Sequence, residues 1–259
     1  MSVDLHNHTT LCNHATGTSR EYIEKAIENN IDYFGFSDHA PMNFDMKYRM
    51  KFEDMKDYEN SILALKEEYK EYINILLAYE VDFLDGFIDQ RVLNAKVDYL
   101  IGSVHFIDKW GFDNPEFIGH YKHKNIDKIW EEYFEAISMM AKSNLFDIVG
   151  HIDLIKIFNF LPKKDIKSIA NTAIKEIKKA GMVVELNVAG LRKPIKEIYP
   201  SSDIMELLCE YDVPITFSSD AHKPEQVGFK QNQLYELARK YNYTKCAAFV
   251  NRDIIMVNF

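Results

Sequence analysis

Nine side chains that can bind transition metals are spread along this chain, and most of them close short apolar runs. Seven are histidines and two are acids: His6, His8, His14, His39, Glu80, His105, His151, Asp220 and His222. Imidazole and carboxylate groups together suit zinc, iron or manganese. Residues two apart on a strand point to the same side, so His6 and His8 can face one ion, as can Asp220 and His222. Glu80 and Asp220 each offer two oxygens and can bridge ions, so the sequence predicts two to three divalent transition-metal ions.

The elements that position these residues follow a regular alternation. Strands are predicted at residues 3–6, 33–37, 75–80, 99–105, 147–151, 183–187 and 214–219, with a weaker candidate at 245–250. Helices are predicted at residues 20–29, 53–71, 126–142, 165–179, 203–211 and 231–241. About seven β-then-α units indicate an α/β fold with a parallel sheet closed into a barrel. No Gly/Ser-rich linker or internal repeat divides the chain, so residues 1–259 are interpreted as one domain.

In such a barrel the active site lies at the carboxyl ends of the strands. The candidate ligands fall at these ends or in the loop that carries His14. A single histidine there is more often a hydrogen-bonded structural residue, and Glu80 alone resembles an edge-strand carboxylate. Crowded, buried imidazoles and carboxylates would otherwise incur large desolvation and repulsion costs, so their convergence favours a metal site.

Composition and charge exclude several classes of function. Hydrophobic residues make up 47% of the chain, which is ample for a folded core. The formal net charge of −9 argues against binding to nucleic acid, whereas bound metal ions would still admit a small anionic substrate. No apolar run suits a membrane span or a signal peptide. Cys12, Cys209 and Cys246 are scattered, as expected of reduced thiols in a cytoplasmic protein.

Other polar residues receive weaker predictions. Asp38 and Asp153 lie beside ligand histidines and are predicted to orient them rather than to bind metal. His120 and His123 lie outside the strand ends, where solvated loop positions are the simpler interpretation, although their loop could reach the site. Cys12 lies between His8 and His14 and is interpreted as a bystander.

These motifs resemble the PHP (polymerase and histidinol phosphatase) family. The resemblance covers residues 6–228 and rests on His6-x-His8, Ser37-Asp38-His39, the Gly-x-x-His pattern ending at His105, and Ser219-Asp220-Ala221-His222. It implies a distorted (β/α)7 barrel with a trinuclear metal site. The first ion would be held by His6, His8, Glu80 and Asp220, the second by Glu80, His105 and His151, and the third by His14, His39 and His222.

Intervening segments resemble the histidinol-phosphatase branch of that family. They are residues 106–115, 189–194, 198–201 and 220–225. The resemblance implies hydrolysis of L-histidinol phosphate to L-histidinol and phosphate, a step of histidine biosynthesis. Two alternatives stay open: a PHP phosphoesterase acting on another small phosphate or a nucleotide, and a regulatory or binding module that uses its metals structurally.

The predicted chemistry uses a hydroxide that bridges two metal ions as the nucleophile. Arg192 is predicted to clamp a phosphate oxygen, with Lys156 or Lys193 adding a point charge. Asp220 or His222 is the candidate proton donor to the leaving group. Asp113 and Glu116 are candidate partners for the substrate ammonium.

Overall fold

Eleven strands are present in the computed structural model, which describes residues 1–259. They are β1 (Val3–Asp4), β2 (Tyr33–His39), β3 (Asn74–Asp82), β4 (Tyr99–Ser103), β5 (Phe106–Ile107), β6 (Trp110–Gly111), β7 (Ile148–Val149), β8 (Val183–Asn187), β9 (Ile215–Ser218), β10 (Lys245–Val250) and β11 (Asp253–Asn258). Seven of them form one parallel sheet in the order β1-β2-β3-β4-β7-β8-β9. This is the order in which the chain visits them, as in a barrel.

Backbone hydrogen bonds join the first and last strands of this sheet. The Leu5 amide donates to the Phe217 carbonyl at 3.0 Å, and the His8 amide donates to the Ala221 carbonyl at 3.0 Å. A parallel bridge also pairs Asn7 with Ala221. The sheet therefore nearly closes on itself, which confirms the predicted α/β barrel of seven strands.

Helices cover the outside of the barrel. They are α1 (Ser19–Glu28), α2 (Met55–Glu68), the short α3 (Gln90–Leu93), α4 (Ile126–Ser143), α5 (Ile166–Ala180), α6 (Ser202–Glu210) and α7 (Gln231–Lys240). Thr18 and Glu21 form a capping box at the start of α1, and Gly181 closes α5 in the left-handed conformation. The apolar faces of the helices pack on the strands around a core of 70 buried residues. None of the helices combines the length and apolar character needed to span a bilayer.

The predicted elements differ from the observed ones mainly at their ends. β4 stops at Ser103 and β7 at Val149, so His105 and His151 lie in the loops just beyond their strands. The predicted strand at 245–250 is present as β10, and its partner β11 was missed. The turn between them puts Asn251 and Arg252 at φ values of 50° and 72°. Such turns usually carry Asn-Gly, because glycine accepts positive φ without strain, so the hairpin lacks its common sequence signal.

Candidate active site and metal centre

All nine candidate ligands lie at the carboxyl end of the barrel. His39 ends β2 and pairs in register with Glu80 of the neighbouring β3. His6, His105, His151 and Asp220 each follow a strand by two residues. The parallel arrangement therefore brings together residues that are far apart in the sequence.

Glu80 lies at the centre of this cluster, and its two carboxylate oxygens face different imidazoles. Oε2 lies 3.2 Å from His6 Nε2, 2.9 Å from His39 Nδ1 and 3.7 Å from His8 Nε2. Oε1 lies 3.0 Å from His151 Nε2 and 3.7 Å from His105 Nε2. Glu80 is 1% exposed, so its charge is compensated by these neighbours and not by water. This is the geometry of a carboxylate that can bridge two ions.

A second group of imidazoles surrounds Asp220. Asp220 Oδ1 lies 3.3 Å from His8 Nε2 and 3.4 Å from His222 Nδ1. The rings of His8 and His222 stack with centroids 4.0 Å apart, and the ring of His14 lies 4.6 Å from that of His222. Ligand atoms of His14, His39 and His222 all lie within 4.8 Å of one another. All of the predicted ligands are thus brought together.

The hydrogen bonds of the histidines suit metal binding. His6 Nδ1 bonds Glu185 at 2.9 Å, His8 Nδ1 bonds Asp38 at 3.3 Å, and His105 Nδ1 bonds Asp82 at 2.6 Å. His14 Nδ1 donates to the Cys12 carbonyl at 2.8 Å, and His222 Nδ1 to the Asp220 carbonyl at 3.2 Å. Such bonds direct the lone pair to Nε2, the tautomer that metal-binding histidines commonly use.

Several buried atoms at the centre of the cluster have no hydrogen-bond partner. They are His6 Nε2, His8 Nε2, His39 Nδ1, His151 Nδ1, His222 Nε2 and Glu80 Oε2. Some face each other at close range, as His6 Nε2 and Glu80 Oε2 do, but without the angles of a hydrogen bond. An unsatisfied buried polar atom is costly, and each of these atoms would be satisfied as a metal ligand. The residues therefore fit divalent metal ions.

A match to a family model shows which protein family the chain belongs to. The model of the PHP domain matches residues 4–189. The chain belongs to the PHP family.

Named relatives of this PHP chain are phosphatases. It is 37% identical, over 88% of each chain, to a protein of Deinococcus radiodurans named "Probable histidinol-phosphatase". The histidinol-phosphatase of Bacillus subtilis is 27% identical over 90% of this chain and 98% of its own. A histidinol phosphate phosphatase from Lactococcus lactis, solved with zinc, L-histidinol and phosphate, superimposes with a TM-score of 0.77. That match covers 98% of both chains at 19% identity, so it supports the PHP fold alone.

The charges of the cluster compensate one another. Burial raises the pKa of Glu80, but the His6 and His39 imidazoles outweigh it and hold that pKa well below its ordinary value. Burial lowers the pKa of His105, but the Asp82 carboxylate outweighs it and raises that pKa to about 10. Burial and the neighbouring imidazoles lower the pKa of His39 to about 4. A metal ion binds the deprotonated imidazole, so binding at His105 must displace a proton.

Two buried acids behind the candidate ligands were missed in the sequence. Glu185 of β8 is 1% exposed; its Oε1 accepts from the His151 amide at 2.6 Å and from Asn187 Nδ2 at 2.8 Å. Asp82 of β3 bonds His105 and also pairs with the buried Arg49 at 2.7 Å. Both acids follow the strand periodicity, since Glu80 and Asp82, like Glu185 and Asn187, are two apart and share a face. That spacing was the available signal.

We expect Glu185→Gln to weaken zinc affinity about 10- to 100-fold, the usual effect of changing a partner of a ligand histidine. The neutral amide makes His6 a less basic ligand, and it leaves fewer acceptors for the His151 amide. Competition with a chromogenic chelator measures the affinity. Glu59→Gln is the matched control, because Glu59 accepts from the Tyr79 hydroxyl of β3 and does not line the cavity. Equal affinity in the two variants would show that Glu185 serves the fold alone.

A cavity of about 500 Å³ opens over the cluster of candidate ligands. Arg192 and Lys193 contribute positive charge to its wall, and Asp113 contributes negative charge, whereas the Asp82 carboxylate in the same wall is paired with Arg49. The walls thus present both signs of charge above the candidate ligands. A substrate that carries an anionic and a cationic group can be matched at both ends.

Arg192 is held in place by the turn that carries Asp220. Its Nη2 donates to the Ser219 carbonyl at 2.7 Å and to the Asp220 carbonyl at 2.8 Å. Nη1 is buried and has no partner. The guanidinium therefore has one nitrogen committed to the backbone and one available to the cavity, rather than a fully free fork.

The structure places two of the predicted substrate contacts away from the cavity. Lys156 is 1% exposed; its Nζ donates to the Ile198 carbonyl at 2.8 Å and pairs with Asp153 at 3.0 Å. This pairing commits both charges outside the cavity lining, which contradicts the predictions that Lys156 faces the phosphate site and that Asp153 orients His151. Glu116 lies on the surface, 3.9 Å from Lys47, and does not line the cavity.

The remaining residues of interest agree with their simpler interpretations. His120 and His123 are exposed and lie outside the cavity lining. Cys12 lies within 4.8 Å of ligand atoms of His8 and His222, but its thiol donates to the Thr9 carbonyl. Burial raises the pKa of Cys12 to about 12, and the thiolate is the form that binds metal. Burial therefore favours the protonated thiol, which agrees with the interpretation of Cys12 as a bystander.

Proposed function

We propose that this PHP-family chain is a metal-dependent phosphomonoesterase that hydrolyses L-histidinol phosphate to L-histidinol and phosphate. The observation that carries this proposal is the cavity of mixed charge directly above the imidazole cluster around Glu80. The names of the relatives supply the substrate, and the cavity offers complementary groups for both of its ends. The substrate carries a phosphate at one end and an ammonium group at the other.

We assign three ligand sets. They are His6, His8, Glu80 and Asp220; Glu80, His105 and His151; and His14, His39 and His222. Each set except the first matches one of the clusters whose ligand atoms converge, and the first adds Asp220 to the cluster of His6, His8 and Glu80. Zinc, iron and manganese all suit these donors. When bound, the ions supply the Lewis acidity that neutralises the phosphate and activates water for attack.

The positive wall of the cavity receives the phosphate. Arg192 Nη1 is the buried donor without a partner, and Lys193 adds a point charge beside it. A charge-assisted hydrogen bond from a fixed guanidinium both holds the phosphate and orients it for reaction.

Asp113 is the group that we propose to bind the substrate ammonium. It lines the cavity, and it forms no salt bridge with a cation of the chain. Burial raises the pKa of Asp113, while His105 and Lys193 oppose this shift from a distance. A bound ammonium would supply the close partner that this carboxylate lacks.

Asp220 and His222 are better placed as ligands than as proton donors. Burial raises the pKa of Asp220, but His6 and His8 outweigh it and hold that pKa well below its ordinary value. Burial and the neighbouring His8 hold the pKa of His222 well below its ordinary value. Neither group therefore holds a proton at neutral pH, and we assign both to the metals.

Phosphate release from a substrate panel tests the proposed function. The metal-loaded protein is assayed with L-histidinol phosphate, p-nitrophenyl phosphate, sugar phosphates and nucleotides. We expect kcat/KM to be highest for L-histidinol phosphate. Negligible hydrolysis of this substrate together with rapid hydrolysis of another would refute the proposed substrate. The assignment as a metal-dependent phosphoesterase would then still hold.

Asp113→Asn and Glu116→Gln form a matched pair for substrate recognition. Asp113→Asn should lower kcat/KM on L-histidinol phosphate about 10- to 100-fold, because it removes a charge-assisted contact. It should change p-nitrophenyl phosphate hydrolysis far less, since that substrate has no ammonium. Glu116→Gln should change neither, because Glu116 lies outside the cavity. Equal losses of kcat/KM on both substrates in Asp113→Asn would show that Asp113 supports the structure of the site and does not bind the substrate ammonium.

A further inference from the structure

Tyr199 is fixed at the edge of the cavity by the barrel itself. Its amide donates to the Asn187 carbonyl at 3.0 Å, and its carbonyl accepts from the Asn187 amide at 2.6 Å. These two bonds attach Tyr199 to the end of β8. The ring lies 6.3 Å from the ring of His151 in an edge-on arrangement, and Lys156 Nζ lies 5.3 Å from its centre. The Tyr199 side chain therefore has a defined position beside the cluster of candidate metal ligands.

The hydroxyl of Tyr199 makes no hydrogen bond within the protein. The residue is 1% exposed, and its hydroxyl oxygen is buried without a partner, yet Tyr199 lines the cavity. A buried hydroxyl without a partner costs the folded state its desolvation. A donor kept in this condition at the wall of a binding cavity indicates a ligand group that completes it.

Arg192 Nη1 is a second donor of this kind in the same cavity wall. Both atoms are buried, and neither has a partner. The Arg192 guanidinium is among the charges that act on the Tyr199 hydroxyl, as is the Asp220 carboxylate. Two unsatisfied donors on residues that line the same cavity suit a ligand that offers several acceptor oxygens and no protons to donate.

We propose that the Tyr199 hydroxyl donates a hydrogen bond to a non-bridging oxygen of the substrate phosphate and, with Arg192 Nη1, forms its binding site. This inference rests on the proposed function, because it assumes that the cavity receives a phosphomonoester. Tyr199 acts as a neutral donor and keeps its proton throughout. Burial, reinforced by Asp153 and Asp220, holds the pKa of Tyr199 well above its ordinary value, which agrees with that role.

Tyr199→Phe removes the hydroxyl and keeps the ring that packs beside His151. The test measures the affinity of the metal-loaded protein for inorganic phosphate by calorimetry, together with kcat/KM on p-nitrophenyl phosphate and L-histidinol phosphate. We expect phosphate affinity to fall roughly 10- to 100-fold, as for a hydrogen bond to a charged group, and kcat/KM to fall on both substrates. Without phosphate, the midpoint of thermal unfolding should stay equal or rise, because the variant no longer buries an unpaired hydroxyl.

Tyr121→Phe is the matched control. It also removes a buried hydroxyl that has no partner, but Tyr121 does not line the cavity, so phosphate affinity and kcat/KM should be unchanged. Phosphate affinity within twofold of wild type in Tyr199→Phe would overturn the inference. A loss of kcat/KM confined to L-histidinol phosphate would also overturn the inference, since the Tyr199 hydroxyl would then contact the histidinol part of the substrate and not the phosphate. If wild type binds phosphate but does not hydrolyse L-histidinol phosphate, the proposed substrate fails while the phosphate measurement still decides the role of Tyr199.

Discussion

Glu80→Gln should reduce kcat/KM by more than about a hundredfold and lower the metal content of the purified protein. The expected loss exceeds the 10- to 100-fold cost of changing a group that only contacts a ligand, because Glu80 itself faces both halves of the cluster. Its Oε2 approaches His6 and His39, and its Oε1 approaches His151. A glutamine keeps one oxygen but turns the other position into a donor, which repels a cation and cannot bridge. Elemental analysis should therefore show the loss of at least one ion per chain.

A control variant distinguishes the loss of a metal ligand from a general loss of folded protein. Glu80→Gln removes a buried negative charge, so its neighbouring imidazoles lose their partner, but the β3 backbone is unaltered. Glu59→Gln, which changes a partly buried glutamate outside the cavity, should retain wild-type metal content and activity. A Glu80→Gln protein that keeps its full metal content and turns over normally would show that Glu80 is structural and that the assigned ligand sets are wrong.

The fold and the candidate ligands were predictable because they depend on local signals. Short segments of the sequence are enough to predict a strand and its end, and a parallel barrel places the carboxyl ends of all its strands at one face. His39 and Glu80 therefore become neighbours by register alone. The strand of His151 was predicted as five residues and has two, Ile148–Val149, although the Gly150 amide beyond it still donates to the Gly102 carbonyl at 2.9 Å.

Roles that depend on pairing between distant residues could not be predicted in this way. Lys156 was predicted to add a point charge at the phosphate, but its ammonium is committed to Asp153 and to the Ile198 carbonyl. Glu185 received no role in the sequence analysis, because its bond to His6 joins residues 179 positions apart. A buried cation and a cavity cation look alike in a sequence, because both are surrounded by the same apolar pattern.

Arg192 shows the same limit and carries the second large prediction. The sequence indicated a free guanidinium fork, whereas Nη2 is bound to the Ser219 and Asp220 carbonyls and Nη1 is buried without a partner. Asp220 has a φ of 49°, a left-handed conformation that aspartate accepts more readily than most residues. Arg192 therefore supports the turn that carries Asp220, and we propose that it also donates to the substrate phosphate.

Arg192→Ala should lower kcat/KM about 10²- to 10³-fold on every phosphomonoester, the range found when one fixed donor to a developing negative charge is removed. Arg192→Lys should recover only a small part, since an ammonium cannot bond two backbone carbonyls and a phosphate oxygen with the same geometry. Steady-state kinetics on L-histidinol phosphate and p-nitrophenyl phosphate measure both variants.

The matched control is Arg252→Ala, because Arg252 also donates to a backbone carbonyl, that of Leu145, and pairs with Asp147 away from the cavity. Arg252→Ala should lose stability but not kcat/KM. Loss on L-histidinol phosphate alone in Arg192→Ala would place the guanidinium against the histidinol part of the substrate and refute the phosphate contact.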